Sequence, residues 1–260
     1  MRITIVAIAL VWAVVSSTFV VHPSPTITTS GISTGFEASE GYTVGNLDDQ
    51  NGWEHAQLPG SWQVETDVKH LGAQAVRSPS GFDDTEARGM TKPFPAEDIG
   101  DMVFYMRRDD TNYQHNNFNV GFNTVSGEDP GVKQICVVGM GDEGIVMQND
   151  TGGTAFLSDL NAGEWYKIHF KWDASICQAS VNDGAFASLP KSTTAGFGRI
   201  YVFARGQAIA YLDDIQDLAA SQVGPPTTID QCKKGAWQVF DTPRHFKNQG
   251  DCIQFVNTGK

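Results

Sequence analysis

Apolar and polar residues alternate with a period of two in four segments of the chain, at 102–108, 117–123, 165–173 and 199–205. In "WYKIHFKWD", which begins at Trp165, every second position from Tyr166 to Trp172 is aromatic or aliphatic, and the positions between them carry Lys or His. Such alternation is typical of a strand with one buried face and one wet face. These four segments are therefore predicted to be strands.

The residues between the alternating segments indicate turns. The Asp-Gly pair in "VNDGAF", which begins at Val181, is the strongest short hairpin signal in the chain. Glycine is frequent, with 27 residues, and no long segment has the 3.6-residue period of an amphipathic helix. Many short strands separated by polar turns predict an all-β fold built as a two-sheet antiparallel sandwich.

Residues 1–21 have the pattern of a secretory signal peptide. The apolar run from Ile3 to Val15 follows a single Arg and precedes the small residues Ser16 and Ser17. The apolar tract continues to Val21, so an uncleaved N-terminal anchor is the alternative. Both interpretations export the rest of the chain. They predict a secreted, extracellular or cell-envelope protein that contacts a membrane only through this segment, if it stays uncleaved.

Two segments rich in Pro, Ser and Thr divide the remaining chain. Residues 22–32 are predicted to be a linker. Residues 218–229, which include Pro225 and Pro226, are predicted to be a second linker, because proline interrupts regular strand pairing. The β-sandwich is therefore predicted at 33–217, and a short C-terminal module at 230–260.

The four cysteines suggest disulfide bonds, because the count is even and export leads to an oxidising compartment. Local pairing, Cys136 with Cys177 and Cys232 with Cys252, is favoured among the three possible connectivities. The terminal pair has the stronger argument, because so small a module cannot hold itself together by apolar burial alone. Two buried thiols are the alternative for Cys136 and Cys177.

Charge is unevenly distributed along the chain, whose net charge is −12. Residues 33–217 carry 12 basic and 27 acidic side chains, whereas residues 230–260 carry 5 basic and 3 acidic ones. An acidic body argues against nucleic acid and against anionic membrane surfaces as partners. It is compatible with divalent cations or neutral glycans, and solubility outside the cell would also explain it.

Several stretches of the main domain resemble the concanavalin A-like, or laminin-G-like, jelly-roll superfamily. They are "GFEASEGYTVGNLDDQNGW", "GAQAVRSP", "EWYKIHFKWD", "ASVNDGAF" and "AYLDDI". The resemblance implies a jelly-roll sandwich, and members of this superfamily bind sugars, serve as adhesive modules or cleave polysaccharides. The C-terminal "CKKGAWQVF" and "FKNQGDCIQF" resemble a recurring terminal motif of exported bacterial proteins, with Ala236 in place of a common Gly. Trp237, Phe240, Phe246 and Phe255 are predicted to form a miniature core beside its disulfide.

Catalytic patterns are weak in this sequence. Glycoside hydrolysis requires two carboxylates held at a defined separation, and no Glu-x-Asp-x-x-Glu strand occurs. The "KIH" at Lys167 matches part of the pattern of lyases on this fold, but Lys stands where those enzymes have Gln. We therefore predict no catalytic residue and interpret His169 as an exposed strand histidine. A polysaccharide-degrading enzyme would require ionisable groups to converge, for example His169 with Tyr201 or with a nearby Arg.

A sugar site would use flat rings for stacking and amides or guanidinium groups for hydroxyls. The candidates are wet-face positions of the predicted strands, and ordinary strand surface is the alternative for all of them. They are Tyr105, Arg107, Asn117, Asn119, Asn123, Tyr201 and Arg205.

The resemblance also implies a structural calcium ion that ties the first strand to the last. The corresponding residues are Glu37, Asp213 and Asp214. Neighbouring residues on a strand point to opposite faces, so we expect at most one of the two Asp side chains to reach the ion. The alternative is a solvated Asp at the sheet rim. The polar stretch "GNLDDQNGW" is interpreted as a structural turn anchored by Trp53.

Together these patterns predict an exported, non-enzymatic recognition or adhesion module whose partner is a glycan or cell-surface polysaccharide. Two alternatives remain, a polysaccharide-degrading enzyme on the same fold and a structural cell-envelope protein.

Overall fold

The computed structural model of the protein describes residues 32–57, 62–79, 87–110, 118–124, 134–206, 208–218, 226, 228–233, 237, 240 and 246–259. In this part the chain forms fifteen strands, one α-helix and two short 3-10 helices, the latter at Ala38–Glu40 and Ile229–Cys232. The strands and the helix are β1 (Gly45–Asn46), β2 (Glu54–Gln57), β3 (Gln63–Glu65), β4 (Ala75–Arg77), β5 (Ala87–Glu97), β6 (Gly100–Arg108), β7 (Phe118–Asn123), β8 (Cys136–Gly141), β9 (Gly144–Asn149), β10 (Thr154–Ser158), β11 (Trp165–Trp172), β12 (Ile176–Val181), β13 (Ala187–Pro190), β14 (Phe197–Arg205), β15 (Ala210–Asp217) and α1 (Gln249–Thr258).

The strands form two antiparallel sheets. One has eight strands in the order β1-β3-β4-β15-β6-β11-β12-β13, and the other has seven in the order β10-β9-β8-β7-β14-β5-β2. The predicted all-β, two-sheet jelly-roll sandwich is therefore confirmed. The last strand of the sandwich, β15, lies inside the eight-stranded sheet between β4 and β6.

The core lies between the two sheets and is built from the apolar half of each alternating strand. In β11 the residues Tyr166, Ile168, Phe170 and Trp172 are all buried, and the residues between them are partly exposed. Phe170 stacks on Phe122 of β7 with ring centroids 4.4 Å apart, which joins the two sheets. The faces predicted from the period-two pattern are those that the fold buries.

A disulfide crosses this core. Cys136 in β8 of the seven-stranded sheet bonds Cys177 in β12 of the eight-stranded sheet, with their Cα atoms 6.5 Å apart. Both residues are fully buried. The predicted pairing is confirmed, and the alternative of two buried thiols is wrong.

The Asp-Gly hairpin is present between β12 and β13. Asn182 and Asp183 have φ of 50° and 60°, and the Gly184 N–H donates to the Val181 carbonyl at 2.9 Å. Two successive left-handed residues closed by this bond match the twist of the flanking strands. The turn brings Asp183 back over β11, where its carboxylate bonds the Lys167 ammonium at 2.7 Å.

The opening polar stretch folds as a turn whose polar groups bond the turn itself. The Asp48 N–H donates to Asn46 Oδ1 at 3.0 Å, and the Trp53 N–H donates to the Gln50 carbonyl at 3.0 Å. Trp53 is buried, and its indole N–H donates to the Tyr42 hydroxyl at 3.1 Å. This geometry agrees with a structural turn anchored by a tryptophan.

The C-terminal part has a small core of its own. Cys232 bonds Cys252 as predicted, and both are buried together with Phe240 and Phe246. Trp237 and Phe255 pack against this cluster, so the predicted miniature core is present. The helix α1 was not expected, because its sequence lacks an apolar stripe. It buries only Cys252, and it begins at an Asn248 cap that accepts the Asp251 N–H at 3.0 Å.

No helix in the described part of the chain is long and apolar enough to cross a membrane. The predicted signal peptide at 1–21 lies outside the described residues, as do nearly all of the linker at 22–32 and most of that at 218–229. The leader, the linkers and the domain boundaries stay predictions.

Candidate functional site

The predicted sugar-contacting residues lie on the outer faces of two different sheets. Tyr105 and Arg107 belong to β6 of the eight-stranded sheet. Asn119, Asn123, Tyr201 and Arg205 belong to β7 and β14 of the seven-stranded sheet. Because the core separates these two faces, the set does not form one surface. Asn117 lies outside the described residues.

Two residues of the seven-stranded sheet are not wet, contrary to the prediction. Tyr201 is 0% exposed and Asn123 is 5% exposed. Tyr201 follows the strand alternation and points away from the core, but its hydroxyl lies over Gly89, where even a Cβ atom would come within 2.6 Å. The missing side chain of Gly89 thus lets the Tyr201 ring lie against the sheet. Neither residue offers a free surface to a ligand.

The outer face of the eight-stranded sheet carries four neighbouring rings, which we call the ring cluster: His70, Tyr105, Trp165 and Tyr211. His70 stacks on Tyr105 with centroids 3.6 Å apart, and it meets Trp165 edge-on at 5.7 Å. Trp165 lies 6.4 Å from Tyr211. Three of the four rings come from strands, and the four form one contiguous cluster in which His70, Tyr105 and Trp165 are partly exposed and Tyr211 is buried beneath them.

Strand register explains why these rings meet. Arg107 of β6 pairs with Trp165 of β11 on one side and with Tyr211 of β15 on the other, and Tyr211 in turn pairs with Arg77 of β4. Directly paired residues on one face are neighbours. The Arg107 guanidinium lies 5.8 Å from the Tyr211 ring centroid, at a distance typical of cation–π contact.

His70 comes from a loop, residues 66–74, that is held over this face by carboxylates. Asp213 accepts the backbone N–H of His70 at 2.9 Å, and Asp214 faces the His70 ring Nδ1 at 2.8 Å. Glu37 accepts the N–H groups of Ala73 and Gln74 at 2.8 and 3.2 Å. The loop buries little apolar surface, and its Leu71 is 56% exposed. Polar contacts therefore fix the position of the His70 ring.

Ionisable groups around the ring cluster have shifted pKa values. Burial, together with the neighbouring Asp214 charge, raises the pKa of Asp213 to about 7, although backbone N–H donors oppose the shift. The hydrogen bond to Asp109 raises the pKa of Arg107, and the one to Asp183 raises the pKa of Lys167. Burial raises the pKa of Tyr211. At neutral pH the face thus keeps Arg107 and Lys167 charged and Tyr211 protonated.

A second polar group lies further along the same face. Asp101 bonds His169 Nε2 at 2.6 Å and the Lys171 ammonium at 3.0 Å. Phe186 stands edge-on to His169 with centroids 5.0 Å apart. His169 therefore lies on the opposite side of the sandwich from Tyr201, and the convergence that an enzyme was expected to need does not occur between these two residues.

Of the three predicted calcium ligands, Glu37 and Asp214 line the same cavity and Asp213 does not. Asp213 accepts backbone N–H groups on both carboxylate oxygens, from Asp214 at 2.8 Å and from His70 at 2.9 Å, so it faces donors that repel a cation. Glu37, Glu40 and Asp214 instead line one cavity of about 280 Å³. Within the described residues no group of three His, Cys, Asp or Glu side chains has the arrangement of a metal site. A calcium ion held by Glu37 and Asp214 stays a prediction.

Sequence reasoning missed three of the four rings. Trp165 occupies the first outer-face position of β11 and Tyr211 the outer-face position before Leu212, so the alternation could have included both, although Tyr211 is buried. His70 lies in a segment with no period. Its contact with Asp214 joins residues 144 positions apart, and no local signal reports such a pair.

No family model and no curated protein matches the chain. Among solved structures, a sialidase matches with a TM-score of 0.48 and 11% identity, over 69% of this chain and 19% of that one. The cellulose induced protein Cip1 matches with a TM-score of 0.48 and 13% identity, over 67% of this chain and 96% of that one.

The carbohydrate binding module CBM66 from Bacillus subtilis matches with a TM-score of 0.43 and 10% identity, over 65% of this chain and 96% of that one. The chain spans about a fifth of the sialidase. At these identities and scores the matches assign neither a family nor an activity to this chain.

Proposed function

We propose that the protein is a non-enzymatic carbohydrate-binding module that uses the outer face of its eight-stranded sheet. The ring cluster is the observation that carries this proposal. Rings of Tyr and Trp stack on the apolar faces of sugars, and neighbouring charged groups bond the hydroxyls. The resemblance of the sequence to a superfamily with sugar-binding members supports the same function.

Two covered, unsatisfied donors on this face are compatible with the proposal. The Trp165 indole N–H and the Arg77 Nε–H are buried and have no acceptor in the described part of the chain. A buried donor without a partner costs roughly 1–3 kcal/mol. Hydroxyl groups of a bound sugar are suitable acceptors, and binding that moves the covering side chains would relieve this cost.

Glycan-array screening followed by calorimetry on the hits tests the proposal. Trp165→Ala removes the central ring and is expected to weaken binding at least about tenfold. Phe156→Ala is the matched control, because Phe156 is 60% exposed and belongs to β10 of the other sheet. The control is expected to bind like the wild type.

Two results would overturn the proposal. One is an array on which no glycan is bound, which would favour the structural cell-envelope alternative. The other is wild-type affinity in a correctly folded Trp165→Ala variant. Circular dichroism and the melting temperature of each variant establish that its fold is intact before affinities are compared.

A further inference from the structure

We infer that the ring cluster accepts an uncharged sugar chain and discriminates against acidic ones. This inference rests on the proposed function and adds the charge class of the ligand. It follows from how the cationic side chains of the face are already engaged.

Carboxylates of the protein occupy the cations that an acidic sugar would need. Arg107 bonds Asp109 through two nitrogens, Nε at 2.6 Å and Nη2 at 3.1 Å. Lys167 bonds Asp183 at 2.7 Å. Because both partners are held in the same molecule, a ligand carboxylate or sulfate must displace a group that is always present. These two cations are closest in register to the rings of Tyr105 and Trp165.

Carboxylates of the protein also contact the remaining Lys and His side chains of this face. Lys171 and His169 both contact Asp101, at 3.0 and 2.6 Å. His70, the imidazole within the ring cluster, contacts Asp214 at 2.8 Å. Neither imidazole presents a positive charge that a protein carboxylate does not already offset.

Arg77 is the exception among the cations on these strands. It has no carboxylate partner in the described part, and its Nε is buried. Glu65 on the same face offsets this single charge, and Asp213, with a pKa of about 7, adds part of a negative charge at neutral pH. In the 66–74 loop over this face, the positive charge of Lys69 offsets the negative charge of Asp67. The net charge of the chain is −12, so the surrounding field also repels an anionic polymer.

Paired charges suit hydroxyl groups better than anions. The exposed Asp183, with 68% of its side chain accessible, has acceptor capacity left for a sugar hydroxyl. Charge-assisted bonds of this kind are stronger than those between neutral groups and need no opposite charge on the ligand. Acidic ligands would meet like charge at the same positions, which is how binding sites reject a wrong partner.

The inference also bears on the enzyme alternative. Elimination at a sugar ring requires a carboxylate beside the carbon that loses its proton, so a lyase must bind an acidic polymer. A face that discriminates against such polymers does not supply the first step of that reaction.

The test is a glycan array of neutral and acidic chains, probed with the full chain at 50 and 500 mM NaCl. We expect hits among neutral glycans, with signals at least tenfold above those of acidic glycans and little change with salt. Strong acidic hits that fade in high salt would overturn the inference. If those hits also disappear in Trp165→Ala, the proposed function stands and only the charge class is wrong. An array without hits overturns both.

A variant pair sharpens the result. Asp183→Asn frees Lys167 from its partner and is expected to raise the signal of acidic glycans several-fold. Asp159→Asn makes the same charge change at an exposed site beside β10 of the other sheet and is expected to have no effect. Equal responses of the two variants would contradict the role assigned to the Lys167–Asp183 pair.

Discussion

Asp213 is the residue in which packing and ionisation are most tightly linked. Its side chain is fully buried on the outer side of β15 under the 66–74 loop. Three backbone N–H groups point at its carboxylate, from His70, Leu71 and Asp214. They favour the charged form, yet burial outweighs them and brings the pKa to about 7. Asp213 therefore titrates near neutral pH while it is buried in the folded protein.

Asp213→Asn is expected to remove a pH-dependent part of the stability. Well below pH 4 the carboxyl is neutral in both states. As the pH rises from about 4 to about 7 the unfolded carboxyl ionises first, so the free energy of unfolding of the wild type falls relative to the variant. The change is on the order of 2–4 kcal/mol. Urea unfolding at pH 4, 5.5, 7 and 8 measures it. The prediction would be contradicted if the difference in free energy of unfolding between wild type and variant did not change across this pH range.

At the scale of elements, the loop at 66–74 is the part whose position depends most on single polar contacts. Glu37 holds its C-terminal end and Asp213 its centre, through bonds to backbone N–H groups. Such a segment opens locally with a small free energy, because few buried apolar contacts resist opening. Its two halves are held by different carboxylates.

Glu37→Ala is expected to loosen only the end of this loop. Loss of one charged acceptor costs about 1–3 kcal/mol, so the amides of Ala73 and Gln74 should exchange with solvent at least about tenfold faster. The amides of His70 and Leu71, which Asp213 holds, should keep their protection. Hydrogen exchange followed by NMR distinguishes these amides. Glu54→Ala, at an exposed residue of β2, is the control, and faster exchange throughout the loop would contradict the argument.

The elements also set the limit of what the sequence could predict. Burial on one side imposes a period of two, so the inner faces of β6, β11 and β14 were predictable from residues such as Phe104, Ile168 and Val202. The pairing of the strands could not be predicted, because β15 pairs with β6 and β4, which are distant from it in sequence. The same limit applied to the site. Tyr105 and Arg107 were found from alternation, whereas His70 and the covered state of Tyr201 depend on the assembled sheets.

At the scale of the whole molecule, the described residues form two separate hydrophobic cores, each with one disulfide. The larger core fills the sandwich, and the smaller one surrounds Phe240 and Phe246. The two bonds close loops of 41 and 20 residues. Each bond is expected to stabilise the core in which it lies.

Removal of each disulfide is therefore expected to have a different effect. Replacing Cys136 and Cys177 by Ala should lower the free energy of unfolding of the sandwich by about 4 kcal/mol, because the unfolded chain regains the entropy of an open loop. Replacing Cys232 and Cys252 by Ala should leave the main calorimetric transition in place. A fall in that transition for the second variant would show that the cores unfold as one unit.

Calcium binding is a second expectation for the molecule as a whole. If Glu37 and Asp214 hold an ion, millimolar calcium should raise the melting temperature, because a ligand that binds only the folded state stabilises it. Asp214→Asn should abolish the shift. Asp213→Asn should retain it, since backbone N–H groups occupy both carboxylate oxygens of Asp213. No shift with calcium in the wild type would reject the site.

The placement of β15 has a consequence for biosynthesis. This strand fills the gap between β4 and β6, although it is the last of the sandwich to leave the ribosome. Until residue 217 has emerged, the nascent chain holds two partial sheets with unpaired edges, which are prone to associate with other chains. Completion of the eight-stranded sheet is thus a late event that joins strands far apart in the chain. Folds dominated by such non-local pairings form slowly and expose aggregation-prone edges while they form.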